Sequence, residues 1–236
     1  MSWLTDKEEL AEQYATDANL RARQALWTEK DGDDAKEILW RALEAWQPRR
    51  VLEVGGGQGE LAERMQRELG AEVTFLDLSP GMVELAQARG VDSQVGDVQE
   101  LPFADGSFDT VVAAWMLYHV PDIDRALAEM TRVLVEGGAL IAVTNSNRHI
   151  EELRELLRYE VPGFDMTFSS ENGEELLGRH FATVERFDAV VRATVRDRDV
   201  LVAYRDSIAV ATAEVPDDVE LPFVVHGRTT IFVATT

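Results

Sequence analysis

The chain reads as an α/β protein on a mostly parallel sheet, and three observations carry that reading. From Arg50 onward, short apolar strands alternate with amphipathic helical stretches, the order that packs helices onto a parallel sheet. A glycine cluster, Gly55-Gly56-Gly57-Gln58-Gly59, joins the first of these strands to the helix that follows. Asp77 ends the second strand, eighteen positions after Gly59.

Each element follows from its local pattern. Leu10, Tyr14, Leu20, Leu26, Ile38, Leu39, Leu43 and Trp46 recur at near-helical spacing, and Asp31-Gly32-Asp33-Asp34 breaks that helical region in two. After Pro48 the period changes, and Arg50 to Val54 is an apolar strand leading through the glycines into a helix from Glu60 to Leu69, closed by Gly70. Glu72 to Asp77 forms the second strand. Ser79 caps the next helix, Pro80 suits its first turn, and Gly90 ends it.

Gln94 to Asp97 and Phe108 to Trp115 are the third and fourth strands, Asp124 to Leu134 an amphipathic helix, and Gly138 to Thr144 the fifth strand. Beyond Asn145 the pattern predicts helices over His149 to Tyr159 and Asn172 to His180, with a looser segment at Pro162-Gly163 between them. A strand from Thr183 to Thr194, a helix from Asp197 to Ala211 and a strand from Arg228 to Ala234 follow.

At 236 residues, with no internal repeat and no long linker, the chain is expected to fold as a single domain. It carries 23 Lys and Arg against 44 Asp and Glu, a formal charge of −21, which repels a phosphate backbone and argues against nucleic acid as a partner. No apolar run is long enough to span a bilayer, so no membrane association is expected. The acidic start lacks a secretory pattern and there is no cysteine; a cytoplasmic location is the expectation. No His, Asp and Glu grouping has metal-site spacing, and no metal is expected.

The glycines permit a tight turn and close approach of the backbone to a ligand. A carboxylate at Asp77 can accept hydrogen bonds from both hydroxyls of a ribose, or it can help Ser79 cap the next helix. Loop and acid together point to an adenosine-containing ligand.

The blocks VLEVGGGQGELA, FLDLSPGM, VGDVQELPFADGSFDTVVAAWMLYHV and RVLVEGGALIAV resemble, in order and spacing, the class I S-adenosylmethionine-dependent methyltransferases. The resemblance covers Val51 to Thr144. The tract LPFADGSFDTVV with LYHVPD is most similar to the branch that includes quinone-biosynthesis and natural-product methyltransferases. The order Glu-x-Gly-x-Gly-x-Gly differs from the Gly-x-Gly-x-x-Gly fingerprint of nicotinamide dinucleotide enzymes.

The resemblance implies a Rossmann-like three-layer sandwich with a seven-stranded sheet and an N-terminal helical cap. Residues 1–47 form the cap, 48–144 the cofactor core, 145–182 an acceptor-side insertion and 183–236 the completion of the sheet. It also implies S-adenosyl-L-methionine as cofactor and S-adenosyl-L-homocysteine as product. Gly55, Gly57 and Gly59 shape the methionine side, and Glu53 touches it through solvent or the loop. Asp77 holds the ribose, Leu78 flanks the adenine, Asp97 bonds the adenine amino group with Val98 beside it, and Ala114 or Trp115 ends a strand near the transferable methyl. Gly56 stands where many relatives carry a bulkier residue, which implies a looser loop.

The expected reaction is methyl transfer to an O or N atom of a small-molecule acceptor, by a monomer or homodimer; a non-catalytic cofactor-binding protein or inactive partner subunit is the alternative. His119 is the candidate catalytic base, or else shapes the loop into Pro121-Asp122. Tyr118, His149 and Phe168 are the candidate acceptor contacts, Phe168 as part of a lid. Tyr14 and Arg23 are candidates for the cofactor's ammonio-carboxylate end, a geometry that suits a guanidinium.

Overall fold

A computed structural model describes residues 18–158, 166–208 and 213–236. In chain order the elements are α1 (Ala18–Ala25), β1 (Lys30–Gly32), α2 (Ala35–Trp46), β2 (Arg50–Val54), α3 (Glu60–Arg64), β3 (Glu72–Asp77), α4 (Pro80–Ala88), β4 (Asp92–Val95) and β5 (Phe108–Ala114). After these come α5 (Ile123–Val133), β6 (Leu134–Asn145), α6 (Glu151–Leu156), α7 (Gly173–Leu177), β7 (Thr183–Val195), α8 (Arg198–Asp206) and β8 (Phe223–Thr235). Among the described residues no helix is long and apolar enough to cross a membrane.

The strands form one sheet in the order β4-β3-β2-β5-β6-β8-β7-β1. β2 pairs in parallel with both β3 and β5, and the chain leaves β2 toward one edge and returns on its other side. That reversal opens a crevice at the carboxyl ends of β2 and β5, where ligands of open α/β sheets bind. β8 runs antiparallel between β6 and β7.

Alternation along the strands builds the layers. Leu52, Val54, Val111, Leu140 and Ala142 join the core under α5 and α7, whereas Val51, Val73, Val112, Ile141 and Val143 join the core under α2, α3 and α4. The strands buried on both faces are the near-continuous apolar runs noted in the sequence.

The sequence predicts seven strands, and the described residues form eight. The additional strand is β1, which pairs Lys30 with Ala193 and Gly32 with Val191 at the edge of β7. A Cβ at Gly32 would lie 2.5 Å from the Val190 carbonyl oxygen, so only glycine allows this approach. The N-terminal region is also more than a cap: α2 packs on the sheet over β6, β7 and β8, while α1 packs against α8. The helix predicted over Glu60 to Leu69 is regular only to Arg64; Met65–Leu69 widens into a π-turn that closes on Gly70. The predicted helix over Asn172 to His180 is confined to α7, and the helix predicted to Ala211 is described as far as Asp206. Tyr14 and the Pro162-Gly163 segment lie outside the described residues.

Candidate active site

The crevice at the strand ends deepens into a cavity of about 900 Å³. A smaller hollow of about 510 Å³, lined by Arg49, Arg50 and Glu72, lies at the opposite ends of β2 and β3, away from the glycine loop. One half of the large cavity is built by the β2–α3 and β3–α4 turns and the segment after β4. Its other half is walled by residues after β5 and by α1, α6 and α8.

In the first half, Gly55 and Gly57 hold φ values of +62° and +61°, in the left-handed region that favours glycine. A Cβ on Gly57 would meet nothing within 4 Å, so the loop leaves open space beside its backbone. Gly59 plays a different part from the one implied by the sequence. It is not among the residues that line the cavity; a Cβ there would lie 2.7 Å from that of Ala86, so it lets α3 approach α4. Arg89 anchors the loop from outside, donating to the Gln58 carbonyl at 2.8 Å and pairing with Glu63 at 2.8 Å.

Glu53 is 1 % exposed, and neither carboxylate oxygen has a hydrogen-bond partner. Burial pushes its pKa up to about 8, against the nearby Ala62 amide, which favours the charged form, and with a further push from the charge of Asp77. An orphaned carboxylate at the cavity wall is a natural seat for a cation. Asp77 lines the cavity, and its Oδ1 accepts the Ser79 amide at 2.8 Å, at the start of α4. Burial pushes its pKa up to about 6, against the backbone amides of Ser79, Leu78 and Gly57, which favour the charged form.

Leu78, Asp97, Val98 and Ala114 line the same half. Gln99, not singled out in the sequence, braces Asp97: its amide and side chain donate to the carboxylate at 2.9–3.1 Å, while its Oε1 accepts from Asp122. These groups fit an adenosyl sulfonium amino acid, with carboxylates for its cationic centres and hydroxyls and open glycine backbone for its body. Among the described residues no group of three or more His, Asp or Glu could hold a metal.

Trp115 stands at the junction of the halves with φ +55°, a strained conformation for a bulky residue. Its amide donates to Val143 and its indole to Asn145, which hold it there. Tyr118 and His119 follow on a 3-10 turn, their rings 4.5 Å apart, and both line the cavity. His149 lines it from the start of α6, its Nδ1 3.1 Å from both the amide and the carbonyl of Arg228. Burial pushes its pKa down to about 4, so it is a neutral imidazole near pH 7.

A further sequence expectation changes. Phe168 is fully buried against Phe232, 5.9 Å between ring centroids, and belongs to the core rather than to a lid or acceptor wall; Met166 lines the cavity in its place. Arg23 lines the cavity with its Nη2 on the Ser207 carbonyl at the end of α8, beside the cavity-lining Tyr204 and Ile208. Trp27, Arg154, Tyr204 and Ile208 escaped the sequence reading, since their helical periodicity shows a buried face without showing what it borders.

Residues 52–142 match the family described as "Methyltransferase domain". The chain is 36% identical over 134 residues to the demethylmenaquinone methyltransferase of Thermobifida fusca, covering 52% of this chain and 56% of that protein. It is 43% identical over 102 residues to a ubiquinone biosynthesis O-methyltransferase of Xanthomonas oryzae, covering 40% and 42%. The chain thus spans about half the length of the curated relatives it matches. The fold is that of a SAM-dependent methyltransferase from Thermotoga maritima, with a TM-score of 0.59, 21% identity and 99% of each chain covered. Residues 52–142 are thus similar to methyltransferase domains, and the chain shares the fold of an S-adenosylmethionine-dependent methyltransferase.

Proposed function

We propose that the protein transfers a methyl group from S-adenosylmethionine to an O or N atom of a small-molecule acceptor. The observation that carries this reading is the continuity of the cavity. Small-molecule sites run to roughly 300–1,000 Å³, and about 900 Å³ without a dividing wall lets cofactor and acceptor share one chamber.

Bound along the glycine loop, the cofactor supplies an electrophilic methyl on a sulfonium. In this reading Glu53 and the loop backbone seat the methionine part, Asp77 the ribose, and Leu78, Asp97 and Val98 the adenine. The chain's remaining tasks are to align the acceptor, keep water out and, for a hydroxyl acceptor, take up its proton. His119 is the proposed proton acceptor. His149 suits a wall and hydrogen-bonding role: its depressed basicity is far from the neutral range a general base needs. The names of the relatives make quinone precursors and related phenols the first acceptors to try.

The test is transfer of isotopically labelled methyl from S-adenosylmethionine into a small-molecule extract, followed by mass identification of the product. Label in a new compound supports methyl transfer. Tight cofactor binding with no label in any acceptor supports a non-catalytic binder instead.

A further inference from the structure

Two side chains in the half of the cavity beyond Trp115 present hydrogen-bond donors whose identity the surrounding bonds fix. Asn145 ends β6 and lines the cavity. One terminal atom of its amide lies 3.2 Å from the Trp115 indole nitrogen, which can only donate, and 3.1 Å from Thr229 Oγ1. That atom is therefore the oxygen, and the other is the NH2 group. Among the described residues nothing accepts from that NH2, which stays accessible.

His149 has its tautomer set in a similar way. Its Nδ1 lies 3.1 Å from both the amide and the carbonyl of Arg228. The carbonyl already accepts the Ser146 amide at 2.9 Å, whereas the Arg228 N–H needs an acceptor. Nδ1 is then the bare nitrogen, and the proton of the neutral imidazole sits on Nε2. Burial keeps the ring neutral near pH 7. Nε2–H is accessible and has no partner among the described residues. Arg228 and Thr229 are consecutive on β8, so one strand orients both donors, and the Trp27 ring packs 5.7 Å from the imidazole.

We propose that Asn145 and His149 are the specificity-determining donors for a carbonyl-bearing acceptor, a cyclic or aromatic ketone whose carbonyl oxygen accepts their N–H groups. This rests on the methyl-transfer reading and narrows its acceptor class; the carbonyl is the handle, and the methylated O or N is another atom of the same molecule. Both side chains have committed their acceptor atoms to the protein, so they offer the cavity donors alone. A carbonyl oxygen accepts and brings no donor of its own, whereas a hydroxyl in its place brings a proton that neither side chain can take. A mismatch of that kind, in a site built to hydrogen-bond, separates close analogues better than a difference in apolar size. Trp27, Ile150 and Met166 in the same wall suit the ring that carries the carbonyl.

The test titrates protein saturated with S-adenosylhomocysteine with 1-indanone and with 1-indanol, by NMR on histidine-labelled protein. Near pH 7 the parent is expected to show His149 as the Nε2–H tautomer, with that nitrogen shifting when 1-indanone is added. 1-Indanone is expected to bind roughly fivefold tighter than 1-indanol, as for a neutral hydrogen bond. The double variant N145D/H149F loses that preference; N145D keeps the oxygen that Trp115 and Thr229 use while removing the NH2. H149Q, which can accept from Arg228 and still donate, retains part of it, and all variants bind S-adenosylhomocysteine as the parent does. An Nδ1–H tautomer in the parent, equal binding of the two probes, binding of neither, or a preference that survives the double variant overturns the proposal. Loss of S-adenosylhomocysteine affinity in N145D with the preference intact assigns the amide to the cofactor and overturns it too. If the parent protein binds no S-adenosylhomocysteine, the methyl-transfer reading fails, and the same titration without it decides the carbonyl subsite alone.

Discussion

The Glu53 carboxylate occupies the space where a side chain at position 56 would stand. A Cβ on Gly56 would lie 2.4 Å from both Cδ and Oε1 of Glu53. Gly56 therefore makes room for a buried acid, and the looser loop implied by the resemblance is not what this glycine provides. Gly56→Ala should cost about 1–3 kcal/mol of stability through overpacking and weaken cofactor binding by displacing the carboxylate. In an Glu53→Ala background the same change should cost much less. Thermal unfolding of the double-mutant cycle checks this; additive effects would show that the two positions do not share the space.

The acid so accommodated should make stability and cofactor binding depend on pH. Glu53 ionises near pH 8 in the folded protein, whereas its ordinary value is 4.5. Between those values the folded state holds a proton that the unfolded state has released, so this contribution to stability falls as pH rises through the window. Glu53→Gln should flatten that part of the profile. A bound cation favours the charged carboxylate, so S-adenosylmethionine should bind more tightly toward pH 8 and release protons near pH 7. Calorimetry in buffers of different ionisation heat reads the release, and none from the parent protein would contradict the assignment.

The half of the cavity around the glycine loop was legible in the sequence because it is local. Glu53, the glycines and Asp77 fall within one β-α-β stretch, so strand ends and turn residues place them without knowledge of distant contacts. The half beyond Trp115 was not. Trp27 follows α1, Arg154 lies on α6 and Tyr204 on α8, far apart in the chain, and amphipathic spacing identifies buried faces alone. Phe168 misled because FSSENG reads as a loop, while its partner Phe232 lies on the last strand. β1 has no apolar alternation at all; Lys30-Asp31-Gly32 is held by backbone pairing to β7.

His119 and His149 should separate kinetically. With a hydroxyl acceptor, His119→Ala should lower kcat by about a hundredfold, in the range of general-base catalysis, and leave S-adenosylhomocysteine affinity unchanged. His149→Gln should raise the acceptor KM with a smaller effect on kcat. Full turnover by His119→Ala across the pH range would reduce that residue to shaping the turn before Pro121.

The most direct test of the account is the affinity of the protein for S-adenosylhomocysteine, parent against Asp77→Ala, by isothermal titration. The account predicts one site per chain, with binding weakened by roughly 1.5–3 kcal/mol in the variant, the worth of a charged hydrogen bond. Asp77 also holds the Ser79 amide, so retained thermal stability of the variant is the accompanying control. Equal affinity in the two proteins would remove Asp77 from the site, and no binding by the parent would contradict the central claim that this cavity seats the cofactor.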